Sequence, residues 1–359
     1  MLFAAILLAA CLPLAAASPL PYDGLVRPQK DGSFVAYMAP PNIANHASTI
    51  EQLPNGDLLL AWFSGIKEEA DKCAIAVSRL PAGSSQFTAP VIVSERDGFS
   101  NQNPVLFHDT VTATTWLFHS QLAAGADHVS PPSALRSAHR VSSPSPAPFL
   151  DETAKKKGVF DRNRIVPRAD GSLLFPLYWT TKGPPNAPFM LVSDKANHSK
   201  WGAPVDVKNA DNLVQPSIVR TSPGALKAFF RDREAKNVYG ASSEDEGLTW
   251  SAPSPKDAGG LPNNNAGIEA FQLASGSTIL IFNNSTKART PLTAALSKNG
   301  GAAWAASRDL QVHDDNSTNT AGVEYSYPTV LQTPDGSIHV AYTYNRETIK
   351  YVRFTESWV

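Results

Sequence analysis

Short runs of alternating apolar and polar residues, broken by turns that in five cases of six contain glycine, recur along this chain of 359 residues. The clearest lies in residues 324–345, EYSYPTVLQTPDGSIHVAYTYN. Tyr327, Thr329 and Leu331 share one face before Pro334-Asp335-Gly336, and Ile338, Val340 and Tyr342 share one after it. A period of two around such a turn predicts a β-hairpin. Comparable turns fall at Gly56, Asp109, Gly171, Gly224 and Gly276, so the pattern occurs six times, at spacings of 53, 62, 53, 52 and 60 residues. One hairpin is marginal in water, and six must bury their faces against one another. The period exceeds that of most helical repeats and suits four-stranded units arranged in a ring. The expectation is an all-β fold, a single six-bladed β-propeller of four-stranded antiparallel blades over residues 18–359.

The same patterning assigns the flanks. Ala74-Ile-Ala-Val-Ser78 reads as the third strand of the first unit, outside its hairpin. Residues 18–45 are Pro-rich except for Ser33-Phe-Val-Ala-Tyr-Met38. That run is expected to pair with Thr348-Ile-Lys-Tyr-Val-Arg-Phe354 and close the ring, removing the edges an open ring would leave. Residues 120–158, rich in Ala, Ser and Pro and carrying Lys155-Lys156-Lys157, read as a long surface loop.

Composition narrows the partners. A formal net charge of −1 and a pI near 6.7 remove nucleic acid and anionic membrane as default partners, so any anion site must be local. Leu2 to Ala17 is uninterruptedly apolar and ends in Ala15-Ala16-Ala17, as a secretory signal does; it is too short to span a bilayer. The expectation is a secreted, extracellular, monomeric protein. The alternative is a lipid anchor through Cys11, since Leu8-Ala9-Ala10-Cys11 fits a lipobox. Removal of residues 1–17 leaves Cys73 alone, with no internal disulfide and the character of a buried, inert thiol. Sequons at Asn197, Asn283, Asn284 and Asn316 suit a glycoprotein. Neither a Cys/His cluster nor a calcium-loop spacing is present, so no metal and no cofactor are expected.

In a ring of blades the innermost strands converge on the axis, and polar residues at their starts are the candidates for chemistry. Those starts are His46-Ala-Ser48, Asn101-Gln-Asn103, Asp161-Arg-Asn-Arg164, Gln215-Pro-Ser217, Asn264 through Glu269, and Glu324-Tyr-Ser-Tyr327. Nearly all are polar or ionisable, which points to a functional mouth rather than an apolar plug.

Ser243-Glu-Asp245-Glu-Gly247-Leu-Thr249-Trp250 fits the turn S-x-D-x-G-x-T-W, and Ser297-Lys-Asn299-Gly-Gly301-Ala-Ala-Trp304 is a degraded copy. Here the Asp can bond backbone amides, Gly can supply a positive φ and Trp can pack beneath, all structural jobs. With Arg289-Thr-Pro-Leu and Glu324-Tyr-Ser-Tyr-Pro328, these boxes make residues 46–359 resemble the sialidase superfamily, in its six-bladed, Asp-box-repeat branch. The resemblance implies an exo-α-sialidase type of glycoside hydrolase acting on carbohydrate, an acidic glycan. In such enzymes arginines clamp the sugar carboxylate, a tyrosine activated by a glutamate attacks, and an aspartate serves as acid and base.

Residue by residue, the resemblance implies Asp71 as acid/base, Arg231 and Arg289 as clamp, and Tyr325 as nucleophile. His46 stands where the first arginine belongs and would pair with a carboxylate only when protonated. Gln215 stands where the glutamate belongs and cannot accept a proton, leaving Glu269 or Glu324 for that role. Tyr327 and Arg346 complete the substrate-binding candidates with His46, Gln215, Arg231 and Arg289. Alternation sets Tyr325 and Tyr327 on one face and Glu324 and Ser326 on the other, and only one set can face the axis. Two other readings stay open. One is a glycan-binding propeller without turnover. The other is a hydrolase or lyase for a uronic-acid- or rhamnose-capped polysaccharide, with His46 and Tyr325 as base and acid.

Overall fold

The structure, a computed structural model, describes residues 20–123, 134–139, 147–148, 158–180, 185–313 and 322–359. The proposed leader, Cys11, Lys155 to Lys157 and Asn316 lie outside the described residues. The described strands form six antiparallel sheets that follow one another along the chain. The first runs Ala44–Gln52, Leu58–Gly65, Ala74–Leu80, Val91–Ser94, and the second begins Phe99–Asp109, Thr114–Ala123. The third is built on Gly158–Asp161, Leu173–Thr180 and Ala187–Val192, the fourth on Leu213–Ser222, Ala225–Asp232 and Tyr239–Ser243. The fifth runs Glu269–Gln272, Thr278–Asn283, Leu292–Ser297, Ala306–Gln311, and the sixth has Tyr325–Gln332, Ile338–Tyr344 and Thr348–Phe354 at its heart. The innermost strand of each sheet packs beside the innermost elements of its neighbours, and the strand at Ala44–Gln52 meets that at Tyr325–Gln332. This is an all-β propeller. Four strands per sheet holds for the first, second and fifth; the fourth has three and the third and sixth have five.

The second strand of each sheet explains why the sheets stack. LLLAWFSG at Leu58–Gly65, ALKAFFRD at Ala225–Asp232, TILIFN at Thr278–Asn283 and IHVAYTY at Ile338–Tyr344 are buried at every position. A strand covered by neighbours on both faces loses the need to alternate and becomes continuously apolar. The core is consequently divided between adjacent sheets. Trp62 and Tyr351 lie in one seam, Tyr325 and Tyr342 in another, and Phe175 and Phe189 in a third.

Closure happens as the alternation of the two end segments predicts. Phe34–Tyr37 pairs antiparallel with Thr348–Phe354, Val35 opposite Val352. The same amino-terminal segment also reaches the first sheet, where the Val26 amide donates to the Ser85 carbonyl at 2.8 Å. It thus straddles the seam between first and last sheets. The stretch expected as a loop at 120–158 is not all loop: Ala134–His139 pairs with Thr114–Ala123 and Ala147–Pro148 with Ala134–His139, as outer strands of the second sheet. Low apolar content hid them, because an outer strand needs little burial.

Both boxes do the structural work expected. Asp245 accepts from the amides of Leu248 and Thr249 at 3.1 and 2.8 Å and from the Thr249 hydroxyl at 2.6 Å, and the Trp250 indole donates to the Gly247 carbonyl at 3.1 Å. In the degraded box Asn299 accepts from the Ala303 amide at 2.9 Å. Burial pushes the Cys73 thiol up to about 12. Asn283 is fully buried and donates to the Tyr325 carbonyl, so its sequon is closed to a glycan in the folded state, whereas Asn197 and Asn284 are exposed. Among the described residues no helix is long and apolar enough to cross a membrane.

Candidate functional site

Four innermost strands break their register near the axis, between His46 and Thr49, Gln102 and Val105, Val214 and Ser217, and Ser326 and Thr329. Each break holds one non-glycine residue in the left-handed region: Ala47 at φ 57°, Asn103 at 48°, Gln215 at 53° and Tyr327 at 51°. These are β-bulges, and a bulge re-aims the side chains that follow it. Left-handed backbone at such residues costs about 1–3 kcal/mol each, and strain of this kind gathers at functional sites.

The consequence is sharpest at the last hairpin. Tyr325 points into the seam with the fifth sheet, 2% exposed, its ring 5.2 Å from that of Tyr344. Tyr327 points instead into a cavity of about 160 Å³ at the axis. Simple alternation would have put both on one face; the bulge separates them and leaves Glu324 on the cavity side too. The tyrosine at the site is therefore Tyr327, two residues beyond the expected nucleophile.

One wall of the cavity is cationic, with Arg231, Arg233, Arg289 and Arg346 accompanied by the carboxylate of Glu68. The other wall is neutral, with Gln102, Asn103, Phe160, Tyr178 and Thr180. Arg231 donates to the Tyr327 hydroxyl at 2.5 Å, to the side-chain oxygen of Gln215 at 3.2 Å and to that of Asn265 at 2.8 Å. The guanidiniums of Arg162, Arg231 and Arg289 stand 5.3, 5.5 and 5.5 Å from the Tyr327 ring centroid. Burial alone would raise the Tyr327 phenol, but Arg231 and Arg289 outweigh it and hold it below the ordinary tyrosine value. Burial pushes the neighbouring Tyr178 phenol up. The arginines thus favour the ionised form at Tyr327, and burial favours the neutral form at Tyr178. Gly267 lies against Tyr327 and Gln215, where a Cβ would stand 3.3 Å from each.

Glu324 is paired with two arginines. It accepts from Arg289 at 2.5 Å, from Arg346 at 2.8 Å and from the Ser326 hydroxyl at 2.6 Å. Burial works against its charge, yet these two arginines keep its carboxyl below the usual range. Glu269, 2% exposed, accepts from the Val330 amide at 2.7 Å and does not line the cavity, so it braces the last sheet. Asp71 is exposed, accepts from the Gly98 amide at 2.6 Å and also lies off the cavity lining; Glu68 is the carboxyl group that lines it.

His46 is fully buried, bonded through Nδ1 to the Thr343 hydroxyl at 2.8 Å, with its ring 4.2 Å from that of Tyr327. Burial and then the surrounding arginines, Arg346 first, push its pKa well below the ordinary histidine value. Both effects disfavour the protonated ring that His46 would need to stand in for an arginine, although the Glu324 carboxylate lies 3.7 Å from its Nδ1. Of the expected binding residues, Arg231, Arg289, Tyr327 and Arg346 line the cavity and Gln215 touches Arg231 from behind. Glu68, Arg233, Tyr178, Phe160 and Thr180 were not singled out in the sequence, whereas Gln102 and Asn103 were, within a polar strand start. Glu68 sits in a polar loop with nothing local to mark it.

Fold and site together define a β-propeller with an arginine-lined axial cavity that holds two buried tyrosines, Tyr178 and Tyr327. The chain belongs to the BNR repeat-like domain family, whose model matches residues 56–340, within the sialidase-like superfamily. Among solved structures it is similar to the Hadza microbial sialidase Hz136, at 14% identity and a TM-score of 0.73, over 89% of this chain and 67% of that one. It is also similar to the intramolecular trans-sialidase from Ruminococcus gnavus, solved with oseltamivir carboxylate, at 14% identity and a TM-score of 0.69, over 90% and 97% of the two chains. A protein of unknown function from Dyadobacter fermentans matches at 16% identity and a TM-score of 0.69, over 93% and 98%. Likeness at these identities establishes the fold alone. No curated protein matches the sequence.

Proposed function

We propose that this protein is a glycoside hydrolase acting at the non-reducing end of an acidic glycan, with sialic acid the favoured sugar. On this reading the six sheets are six blades, the apolar leader carries a monomer out of the cell, and the axial cavity is the active site. The observation that carries it is the Tyr327 hydroxyl, held 2.5 Å from Arg231 in a cavity whose arginines outnumber its carboxylates.

Arg231 and Arg289 would hold the sugar carboxylate by charge-assisted bonds. The Tyr327 phenol first gives its proton to solvent, and the phenolate oxygen then attacks the anomeric carbon as the bond to the leaving oxygen breaks. Gln215 cannot take the phenol proton, so the arginine field that lowers the Tyr327 pKa performs the activation a glutamate would otherwise supply. Glu68 is the carboxyl group in the cavity to exchange a proton with the leaving oxygen and with the water that releases the product.

Release of a fluorophore from an aryl α-sialoside tests the reading. Wild type should turn over, with a rate that climbs with pH on a limb below the ordinary tyrosine value of 10.0, because the deprotonated phenol is the reactive form. Tyr327→Phe should lose at least about 100-fold and the limb with it. No release by wild type overturns the proposal.

Gln215 favours one second reading. Without a carboxylate partner, an arginine-activated Tyr327 suits removal of the proton α to a uronate carboxylate, with elimination of the neighbouring sugar. An unsaturated, ultraviolet-absorbing product from a uronic-acid-capped polysaccharide would replace the hydrolase by this lyase.

A further inference from the structure

We infer that Arg162 is the positioning residue for Tyr327: a guanidinium from the third sheet that ties the bulges of the first and sixth sheets together at the axis and so sets the aim of the phenol. The inference rests on the reading of Tyr327 as the nucleophile, and no step of that reaction uses Arg162.

A bulge takes residues out of the pairing ladder, and their buried carbonyls then need other donors. Ala47 and Ser48 have no partner in the register of the first sheet, nor Tyr327 and Pro328 in that of the sixth, nor Gln215 and Pro216 in that of the fourth. One short segment of the third sheet, directly after the strand Gly158–Asp161, reaches all three bulges. The Arg162 guanidinium donates from Nη1 to the Ser48 carbonyl at 3.1 Å and from Nη2 to the Pro328 carbonyl at 2.7 Å. Asn163 donates from Nδ2 to the Gln215 carbonyl at 2.8 Å. The two carbonyls that Arg162 takes belong to the residues immediately after Ala47 and Tyr327, the left-handed positions of their bulges.

Arg164 repeats the reach two residues further along. Its Nη2 donates to the Ile50 carbonyl at 2.9 Å and to the Val330 carbonyl at 3.3 Å. Ile50 and Val330 are paired in their own sheets, opposite Leu60 and Val340. Arg164 therefore braces ordinary strand, whereas Arg162 braces the two bulges and stands with its guanidinium carbon 5.3 Å from the Tyr327 ring centroid.

A buried cation bonded to neutral carbonyls costs desolvation free energy. Burial lowers the Arg162 pKa, with Glu269 the chief influence against that shift. A planar fork is the group that spans two carbonyls at once, and its charge lies behind a phenol that must ionise. Arg231, Arg289, Glu68 and Tyr178 act on that phenol from the cavity, and His46 from beside the ring. Arg162 is thus the one of these groups that also fixes the backbone from which Tyr327 projects.

The test reads Tyr327 without substrate, as the tyrosinate absorbance difference between each protein and its Tyr327→Phe counterpart across pH, beside kcat and KM for the aryl α-sialoside. Wild type should ionise below the ordinary tyrosine value of 10.0. Arg162→Lys keeps the charge and a donor but cannot span both carbonyls. It and Arg162→Met should both move the ionisation upward and lower kcat about 10- to 100-fold with KM little changed, because the phenol is displaced while the arginines that hold substrate stay. Arg164→Met should lower the melting temperature and leave the titration and kcat as in wild type. An Arg162→Lys protein equal to wild type in both readings overturns the inference, as does an Arg164→Met protein that moves them equally. Loss of the folded ring in both Arg162 variants, seen by circular dichroism, would make Arg162 a brace of the whole molecule and overturn it too. Wild type without turnover overturns the hydrolase reading alone, since the titrations still decide whether Arg162 positions Tyr327.

Discussion

Tyr325 and Tyr327 show how much function can turn on two residues of one strand. The sequence places both at the mouth of the axis and offers no reason to choose the second, because periodicity treats positions i and i+2 alike. The choice is made by a bulge, and a bulge of this kind leaves no local signature when its left-handed residue is a tyrosine rather than a glycine or asparagine. Arg231 and Arg289 were legible through the resemblance carried by the box turns and their neighbouring motifs, whereas Arg233, which also lines the cavity, was not. Glu68 was not, since a carboxylate in a loop before an exposed aspartate looks like solvated surface. The two tyrosines make a paired prediction. Tyr325→Phe should cost no more than about 1 kcal/mol of folding stability and leave kcat/KM for an aryl sialoside unchanged. Tyr327→Phe should do the reverse. Equal activity losses in both would return the nucleophile to the strand face that packs against Tyr344.

At the level of elements, the hairpins and box turns were readable because their chemistry is local. In the intact box the Ser243 hydroxyl accepts from the Gly247 amide at 2.8 Å while Asp245 gathers the next two amides, and every partner lies within six residues in sequence. The long-range half of the turn was not readable. Gly247 sits at φ 89°, and a Cβ there would stand 2.5 Å from the Leu174 Cδ2 of the preceding sheet. The box thus locks its own turn and also sets how closely the third and fourth sheets approach. Gly247→Ala should therefore cost more than the positive φ alone, about 2–4 kcal/mol in all, from strain plus displacement of a fully buried leucine. Urea denaturation would measure it. The double variant Gly247→Ala with Leu174→Val should recover part of the loss, whereas an additive double variant would mean that the two sheets do not meet through this contact.

Across the whole molecule, a ring made of sheets that bury one another leaves titratable groups inside it, and their balance sets how the protein responds to pH. His339 accepts and donates between the hydroxyls of Thr333 and Tyr351, at 2.9 and 2.7 Å, and burial, then Arg353, lowers its pKa from 6.5 to about 4. Between those values the unfolded chain binds a proton that the folded one refuses, so stability falls as pH falls through that window, by about 3 kcal/mol at the acid end. His46 acts in the same direction. Asp161 acts in the opposite one, because burial raises its carboxyl from 3.8 to about 8, with Oδ1 bonded to the Ser120 hydroxyl and Oδ2 unpartnered. Between pH 8 and 4 the folded state keeps a proton the unfolded state has released, so stability rises as pH falls. Opposed slopes would make the wild-type profile shallow and uninformative, and only difference measurements can resolve them. His339→Gln keeps a donor and an acceptor but cannot titrate. Its destabilisation relative to wild type should be largest at pH 7 and shrink by about 3 kcal/mol on approaching pH 4, read from urea midpoints at fixed m-value. Asp161→Asn should be close to neutral at pH 4 and increasingly stabilising towards pH 8. A pH-independent difference for either variant would mean that its parent group titrates in the folded ring as it does in water.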